Sequence, residues 1–453
     1  MQLTPAADTA PGARRARARR ASTPRHPLDR PLVTAAVALA GWAGFVLARW
    51  RVWARGDISL FIMSGVSKYS HPGAMRPPIG HVPLTGYDGQ FYYRLAIDPF
   101  NWGHRAYGIT MDHAYRYTRL GYPLLAWMAS LGHIRWLPAT LVLINVACTA
   151  VIGWLGGVLA RDAGRHALWG LLLVAYFGTV ISVGRDTAEP LADALMLGGL
   201  IALRRDRRML ACALVTGAVV TNETILVVPV ALGVTRLGVL LGWRRRQSSR
   251  HQPSRHRPSR PGIADLTWLV PSCAWLAMQG IEHVTDAWQA GAPGDISRNL
   301  GLPFQGMEWG LRADVRGVSW SHLGMYDINL IELAALAATV LAGLFVLRSS
   351  TAPAWERLAL AGFVLVEMVL ATWQFWGSTF GDGRAYVDCY LLAIVVLLAT
   401  PPAPAGVAAG TGRPPLAAAA SLRLAMPPRR LAAIAAIVVA ALIVVARRRI
   451  LFE

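Results

Sequence analysis

Apolar runs of about 20 residues, separated by short polar breaks, dominate the chain of 453 residues. Runs of that length without charge are long enough to cross a bilayer. They are continuous in Ala, Leu and Val and lack the two-residue alternation of a strand, so they predict helices. Helices also satisfy their own backbone groups in lipid, where unpaired ones are costly. The pattern places spans near 31–49, 137–160, 167–183, 188–203, 209–221, 223–242, 265–283, 328–347, 357–376, 385–400 and 431–446. The expected fold class is all-α, a polytopic transmembrane bundle of about 11 spans. The 209–221 run is short, and the break at "TNE" reads as a kink.

The polar breaks divide the chain into a basic, disordered N-terminus over 1–30 and an N-terminal membrane module over 31–242. That module carries a large external loop at 50–136. A Pro/Arg/Ser-rich linker follows over 243–262, then a C-terminal membrane module over 263–400 with an external loop at 284–327. A second linker over 401–430 leads to a terminal helix within 431–453. No internal repeat is visible, which weakens an inverted-repeat transporter reading.

Charge orients the bundle. Only 15% of residues are charged, against about 25% in soluble domains. The net charge of +20 is almost all arginine, since Lys68 is the one lysine. The arginines cluster beside spans, where cytoplasmic positive charge sets orientation, and no soluble fold is present to carry them to nucleic acid. The N-terminus and the clusters at 161–166, 204–208, 243–260 and 348–357 are expected inside. The loops 50–136 and 284–327 and the turns 184–190 and 377–388 then fall outside. The apolar stretch 119–133 is short for a crossing and is assigned to the outer surface as an interfacial or re-entrant helix. The terminal "RRR" at 447–449 runs against the rule. The first run ends in "VLARWRVWARG" without a small-residue cleavage site, so it is expected to stay as a helix. The expected location is a bacterial inner (plasma) membrane, multi-pass, with the N-terminus cytoplasmic.

Four cysteines, Cys148, Cys212, Cys273 and Cys389, lack CxxC spacing and read as packing residues. His71, His81, His104 and His113 share the first external loop without HxH or HxxxH spacing, so no metal site is expected from the residues alone. No P-loop or Rossmann pattern appears.

One stretch resists the bundle reading. "YDGQFYYRLAIDP" starts at Tyr87, inside the first external loop. Tyr87, Phe91, Tyr92 and Tyr93 suit a membrane interface. Asp88, Gln90, Arg94 and Asp98 among them do not follow from that reading. An acid with apolar neighbours near a membrane loses solvation and becomes a better proton acceptor, suited to general-base work on a hydroxyl.

This stretch, followed by "RLGYPLLAWMAS" at 119–130, resembles the first external loop of polyprenyl-phosphate-dependent GT-C glycosyltransferases. It is closest to the phosphatidylinositol-glycan mannosyltransferase-like family. Tyr87-Asp88-Gly89 and Tyr92 match that family's Trp-Asp-Gly-x-x-Tyr stretch, and Tyr122-Pro123-Leu124 its aromatic-Pro-Leu stretch. The resemblance covers residues 30–135; beyond it only the layout of spans agrees. Tyr87 replaces the leading Trp, and "GYPLL" lacks the doubled aromatic. The resemblance implies a GT-C bundle with its active site on the outer face. A polyprenyl-phosphate sugar would be the donor, and a glycan, lipid or protein the acceptor. Asp88 would deprotonate the acceptor hydroxyl or position a metal, and transfer would invert the anomeric centre. Some relatives use a divalent metal and others do not, so the cofactor stays open.

A leaving phosphate needs cationic or amide stabilisation. Arg94, Arg116, Arg119, Arg185, Arg298 and Arg384 are the candidates on the same face. Arg185 lies in "GRDTAEP" with Asp186 and Glu189, which also reads as a solvated turn. Arg384 also reads as a snorkelling interfacial arginine. "SRNLGLPFQGMEWG" pairs Asn299 and Gln305 with Phe304 and Trp309, a mixture suited to a sugar and equally to an amphipathic loop helix. The expected substrate-binding residues are Tyr87, Gln90, Tyr92, Arg94, Arg116, Arg185, Asn299 and Arg384. Glu223 is expected to cap a helix N-terminus. Glu367, deep in a span, is thin support for the alternative, a transporter or lipid flippase. A non-catalytic partner that keeps the fold is the third reading.

Overall fold

The structure, a computed structural model, describes residues 26–66, 69–83, 86–248, 263–286, 300–318, 324–370, 376 and 382–401. It is mostly helical. The long elements are α1 (Pro31–Val52), α2 (Gly89–Ile97), α3 (Gly121–Ala129), α4 (Leu137–Asp162), α5 (Phe177–Gly184), α6 (Glu189–Arg204) and α7 (Arg208–Thr221). They are followed by α8 (Val227–Ser248), α9 (Ile263–Asp286), α10 (Gln305–Gly317), α11 (Met325–Phe345), α12 (Ala354–Val369) and α13 (Val387–Leu398). Helix occupies every predicted apolar stretch except 431–446, which lies outside the described residues, as does the linker 402–430.

Among the described residues, three helical stretches are long and apolar enough to cross a membrane: Pro31–Val52, Ile134–Asp162 and Tyr326–Phe345. The stretch expected as one span over 167–183 is a 3-10 helix, Ala167–Val174, joined to α5 with a 60° bend; counted as one broken span, it makes a fourth. Several other helices are too short for a straight crossing: α6 has 16 residues, α7 14, α12 16 and α13 12. The break at "TNE" is a full interruption. Asn222 is extended, and its side chain accepts from Thr224 N, opening a short 3-10 turn before α8. α8 runs on to Ser248, six residues into the expected linker, and 249–262 lie outside the described residues.

The arginine-rich breaks meet at one end of the bundle. Arg165 donates to Leu398 O and Thr400 O at 2.9 and 2.6 Å. Arg204 holds the Glu356 carboxylate at both oxygens, 2.6 and 2.5 Å. Arg357 donates to Leu347 O at 3.0 Å. Asp29, within the stretch expected to be disordered, accepts from Ala167 N at 2.8 Å. α1 lies along α4 at close range, because a Cβ at Gly157 would come within 2.9 Å of both Pro31 Cα and Thr34 Oγ1.

The segment 50–136 folds as a cap on the other end. Strands β1 (Arg105–Ala106) and β2 (Ile109–Thr110) pair antiparallel, with Arg105 opposite Thr110. Every residue of α2 is buried. Phe91, Tyr92 and Tyr93 are therefore the core of the cap and not a membrane-interface belt. Both roles suit aromatics with a polar tip, and burial decides between them. The stretch 119–133 contains α3, only nine residues long.

Candidate active site

α2 begins at Asp88, whose backbone sits at φ −60° and ψ −27° and whose side chain makes no capping bond. The carboxylate is free to point off the helix end. Gly89 allows this approach. A Cβ there would lie 2.5 Å from Arg185 O and 2.6 Å from Ile62 O, so the helix start is pressed against two other backbones.

Asp88 lines a cavity of about 280 Å³ between the cap and the bundle. One wall is charged: Asp88, Arg119, Glu189, Glu223 and Arg384. The same lining carries apolar side chains, Trp275, Leu300, Phe363, Val366 and Leu370, with the acids Glu282, Glu367 and Asp388 among them. The charged wall is a chain of ion pairs. Asp88 Oδ2 lies 2.8 Å from Arg116 Nη1 and also pairs with Arg384 Nη2. Arg116 is braced from behind by both oxygens of Asp112, each at 2.9 Å. Arg384 is braced by Glu189 at 2.7 Å. Arg119 Nε donates to Glu223 at 2.7 Å, and its guanidinium makes a second bond to the same carboxylate.

Burial alone would raise the Asp88 carboxyl, but the Arg116 and Arg384 guanidiniums outweigh it and hold the group well below the usual carboxylate range. Asp88 is therefore an ionised, poorly basic carboxylate in this arrangement. Arg116 and Arg119 are driven the other way: their carboxylate partners outweigh burial and raise them well above the usual value.

Comparison with protein-family models, with curated proteins and with solved structures finds no match. The site therefore stands on its own geometry.

That geometry brings some of the expected residues together and leaves others apart. Asp88, Arg116 and Arg384 form one cluster. Tyr87 lies beneath two cations, with Arg185 4.5 Å and Arg384 5.0 Å from its ring centre. Tyr92 is buried, 3.5 Å from Arg119 Nη1 through its hydroxyl. Gln90 and Arg94 do not line the cavity. Gln90 accepts from Ser70 Oγ and from Gly65 N. Arg94 is fully buried and ties down the cap by donating to Asn101 O at 2.8 Å and Gly103 O at 2.6 Å. Asn299 and Arg298 lie outside the described residues. Phe304 and Trp309 are about half exposed at α10, which is held to the end of α12 by Gly301 N and Phe304 N donating to Val369 O and Met368 O.

Two expectations are corrected. The turn 184–190 is not solvated: Asp186 and Thr187 are fully buried and Glu189 nearly so. Capping at the α7–α8 break belongs to Asn222, while Glu223 reaches across to Arg119. Sequence reasoning also missed Asp112 and Asp388. The four-residue spacing of Asp112 and Arg116 carried little signal, because His113 between them is extended and Asp112 lies outside the 3-10 turn Ala114–Thr118 that carries Arg116. Asp388 lines the cavity and accepts from Thr224 at 2.5 Å, a contact across 164 positions that no local pattern announces.

A divalent cation does not fit this wall. The Asp88 oxygen on the arginine side is occupied by two guanidiniums. Among the described residues no group of three or more His, Cys, Asp or Glu is arranged to hold a metal.

Proposed function

We propose that the protein is an integral-membrane glycosyltransferase of GT-C type. It transfers a sugar, with inversion, from a polyprenyl-phosphate donor to an acceptor on the outer face of a bacterial inner membrane. The bundle has about 11 spans and a cytoplasmic N-terminus. The observation that carries the reading is the mixed lining of the cavity: a carboxylate among arginines together with apolar side chains from α12. A lipid-linked phosphosugar has the same mixture. Its phosphate suits Arg119 and Arg384, and the first isoprenoid units suit Phe363, Val366 and Leu370.

The chemistry follows from the ion pairs. Both cavity-lining arginines already hold carboxylates, so a donor phosphate enters by exchange. Arg384 has Glu189 behind it and Asp88 in front. It keeps the first and turns its other nitrogen to the phosphate. Asp88 then retains Arg116 alone, faces an added negative charge, and becomes a competent base. The acceptor O–H proton passes to Asp88, and the acceptor oxygen bonds to the anomeric carbon. The bond from that carbon to the phosphate oxygen breaks with its electron pair on the phosphate, where Arg119 and Arg384 balance the charge.

A transporter is the second reading, and one observation favours it. Glu367 and Asp388 line the cavity from helices, and Asp193 is buried on α6. Intramembrane acids are a mark of ion-coupled pathways. The test is reconstitution in proteoliposomes with polyprenyl-phosphate sugars. Sugar transfer to an added acceptor supports the enzyme. Accumulation of intact solute inside the vesicle, with no transfer, removes it.

A further inference from the structure

A band of exposed apolar side chains on the cap is not used by the site. Leu131 is 77% exposed, Phe100 67% and Trp136 57%, with Trp127 and Met128 exposed beside them. They form one tip. Phe100 and Trp127 meet edge to face at 6.5 Å. Gly132 N donates to Trp127 O at 2.9 Å, folding the chain back after α3. His133 packs on Trp136 at 4.8 Å, and Trp136 N donates to His133 O. His133 and Arg135 are exposed at the same tip.

α4 shows where this tip lies. From Trp136, the residue before it, to Ala160 its exposed positions form a single stripe: Trp136, Leu143, Ala147, Val151 and Trp154. Steps of three, four and seven keep one helical face, and the rest of the helix from Leu155 to Ala160 is buried. Trp136 and Trp154 are 18 positions apart, a rise of about 27 Å. That is close to the thickness of a bilayer's hydrocarbon core, about 30 Å. Tryptophan concentrates at both edges of that core. The stripe thus runs from one interface to the other, and the cap tip continues it at the Trp136 edge.

We propose that Phe100, Trp127, Met128, Leu131 and Trp136 form a wedge seated in the headgroup–acyl boundary of the leaflet on the cap's side of the membrane. The occupant of this surface is lipid. Exposed apolar patches of this kind mark membrane or partner contacts. Continuity with the lipid-facing stripe of α4 selects the membrane, and Arg135 adds a cation at headgroup level. The wedge has a consequence for the cavity. Arg119 lies two residues before α3, whose nine residues rise about 14 Å. The wedge therefore holds the charged wall within one α3 length, about 14 Å, of the headgroup–acyl boundary. This last step rests on the proposed function; the seating of the wedge does not.

The test uses the full chain in phosphatidylcholine–phosphatidylglycerol vesicles, with Cys273→Ser to remove the exposed cysteine. An environment-sensitive fluorophore is attached at Leu131→Cys, and at exposed Ala74→Cys as a control. The expected result is quenching of the 131 label by a lipid nitroxide at a shallow acyl carbon, weaker quenching by a deep one, and protection from aqueous iodide. The 74 label shows the reverse. Iodide access at 131, or protection from both quenchers, overturns the wedge, the latter because protein and not lipid would then cover it. A second arm compares donors. Met128→Ser with Leu131→Ser raises the KM for a long-chain donor about tenfold and leaves that for a short, water-soluble donor unchanged. Equal effects on both overturn the link to the cavity. Absence of any transfer removes the proposed function and leaves the depth measurement standing.

Discussion

Asp88→Asn separates a catalytic carboxylate from a structural one, because the ion-pair chain leaves each arginine a second partner. The amide keeps the shape and one acceptor oxygen and removes the charge. Arg116 retains both oxygens of Asp112 at 2.9 Å, and Arg384 retains Glu189 at 2.7 Å. Breaking a buried pair outright costs about 3–5 kcal/mol, because a charge is left uncompensated. Here no guanidinium loses its last carboxylate, so the expected loss of stability is about 1–2 kcal/mol. The catalytic loss is larger. A positioned general base contributes about 100- to 10,000-fold, or about 3–5 kcal/mol of barrier. Single-turnover transfer in proteoliposomes should therefore fall at least about 100-fold while the detergent-solubilised protein still unfolds cooperatively. Transfer within a few-fold of wild type would refute the assignment of Asp88. A variant that fails to insert would make Asp88 a structural keystone instead. Acid adds a signed check. The folded-state carboxyl is held below its ordinary range. Its stabilising share is thus complete above the unfolded value, about pH 4, and is lost as pH falls through the lower folded value. Wild type and Asp88→Asn should differ by a constant amount above about pH 5 and converge in stronger acid.

Three further outcomes follow from single contacts. Arg119→Gln and Glu223→Gln remove the two ends of a doubly bonded pair; their effects on unfolding should be non-additive by about 1–3 kcal/mol in a double-mutant cycle, and additivity would mean the pair is not made. Glu356→Gln, at the far end of the bundle, should lower stability by about 3 kcal/mol, since the carboxylate is fully buried on Arg204; transfer per folded molecule should be unchanged, and a drop would tie that end to the site. Gly89→Ala should cost about 1–3 kcal/mol, because the added methyl meets the Arg185 and Ile62 carbonyl oxygens and backbone must move; a neutral thermal shift would show that the cap does not press on the bundle there.

What was legible in the sequence depends on how far apart the deciding residues lie. Apolar runs announce helices because burial in lipid or core is read residue by residue, and among the described residues helices stand where the runs predict them. Their ends agree within two residues at α6, α7 and α13, but the bend inside 167–183 and the burial of the turn 184–188 were not legible, because nothing local marks a buried turn as different from a solvated one. The same limit hid the aromatics' role, since Phe91 and Tyr92 have the composition of a membrane belt and the environment of a core. Asp88 was found from its neighbours in sequence, but its electrostatic state was not. The neighbours suggested a desolvated acid with raised basicity. The partner that reverses this, Arg384, is 296 positions away, and the brace on that partner, Glu189, is 195 positions from it. Short-range pattern thus located the carboxylate, and long-range pairing determined what it can do. A clamped carboxylate is a weak base until something draws Arg384 aside, and an anion entering the cavity is the group with the charge to do so. In the proposed reaction, coupling of that kind would make deprotonation of the acceptor conditional on the donor being in place.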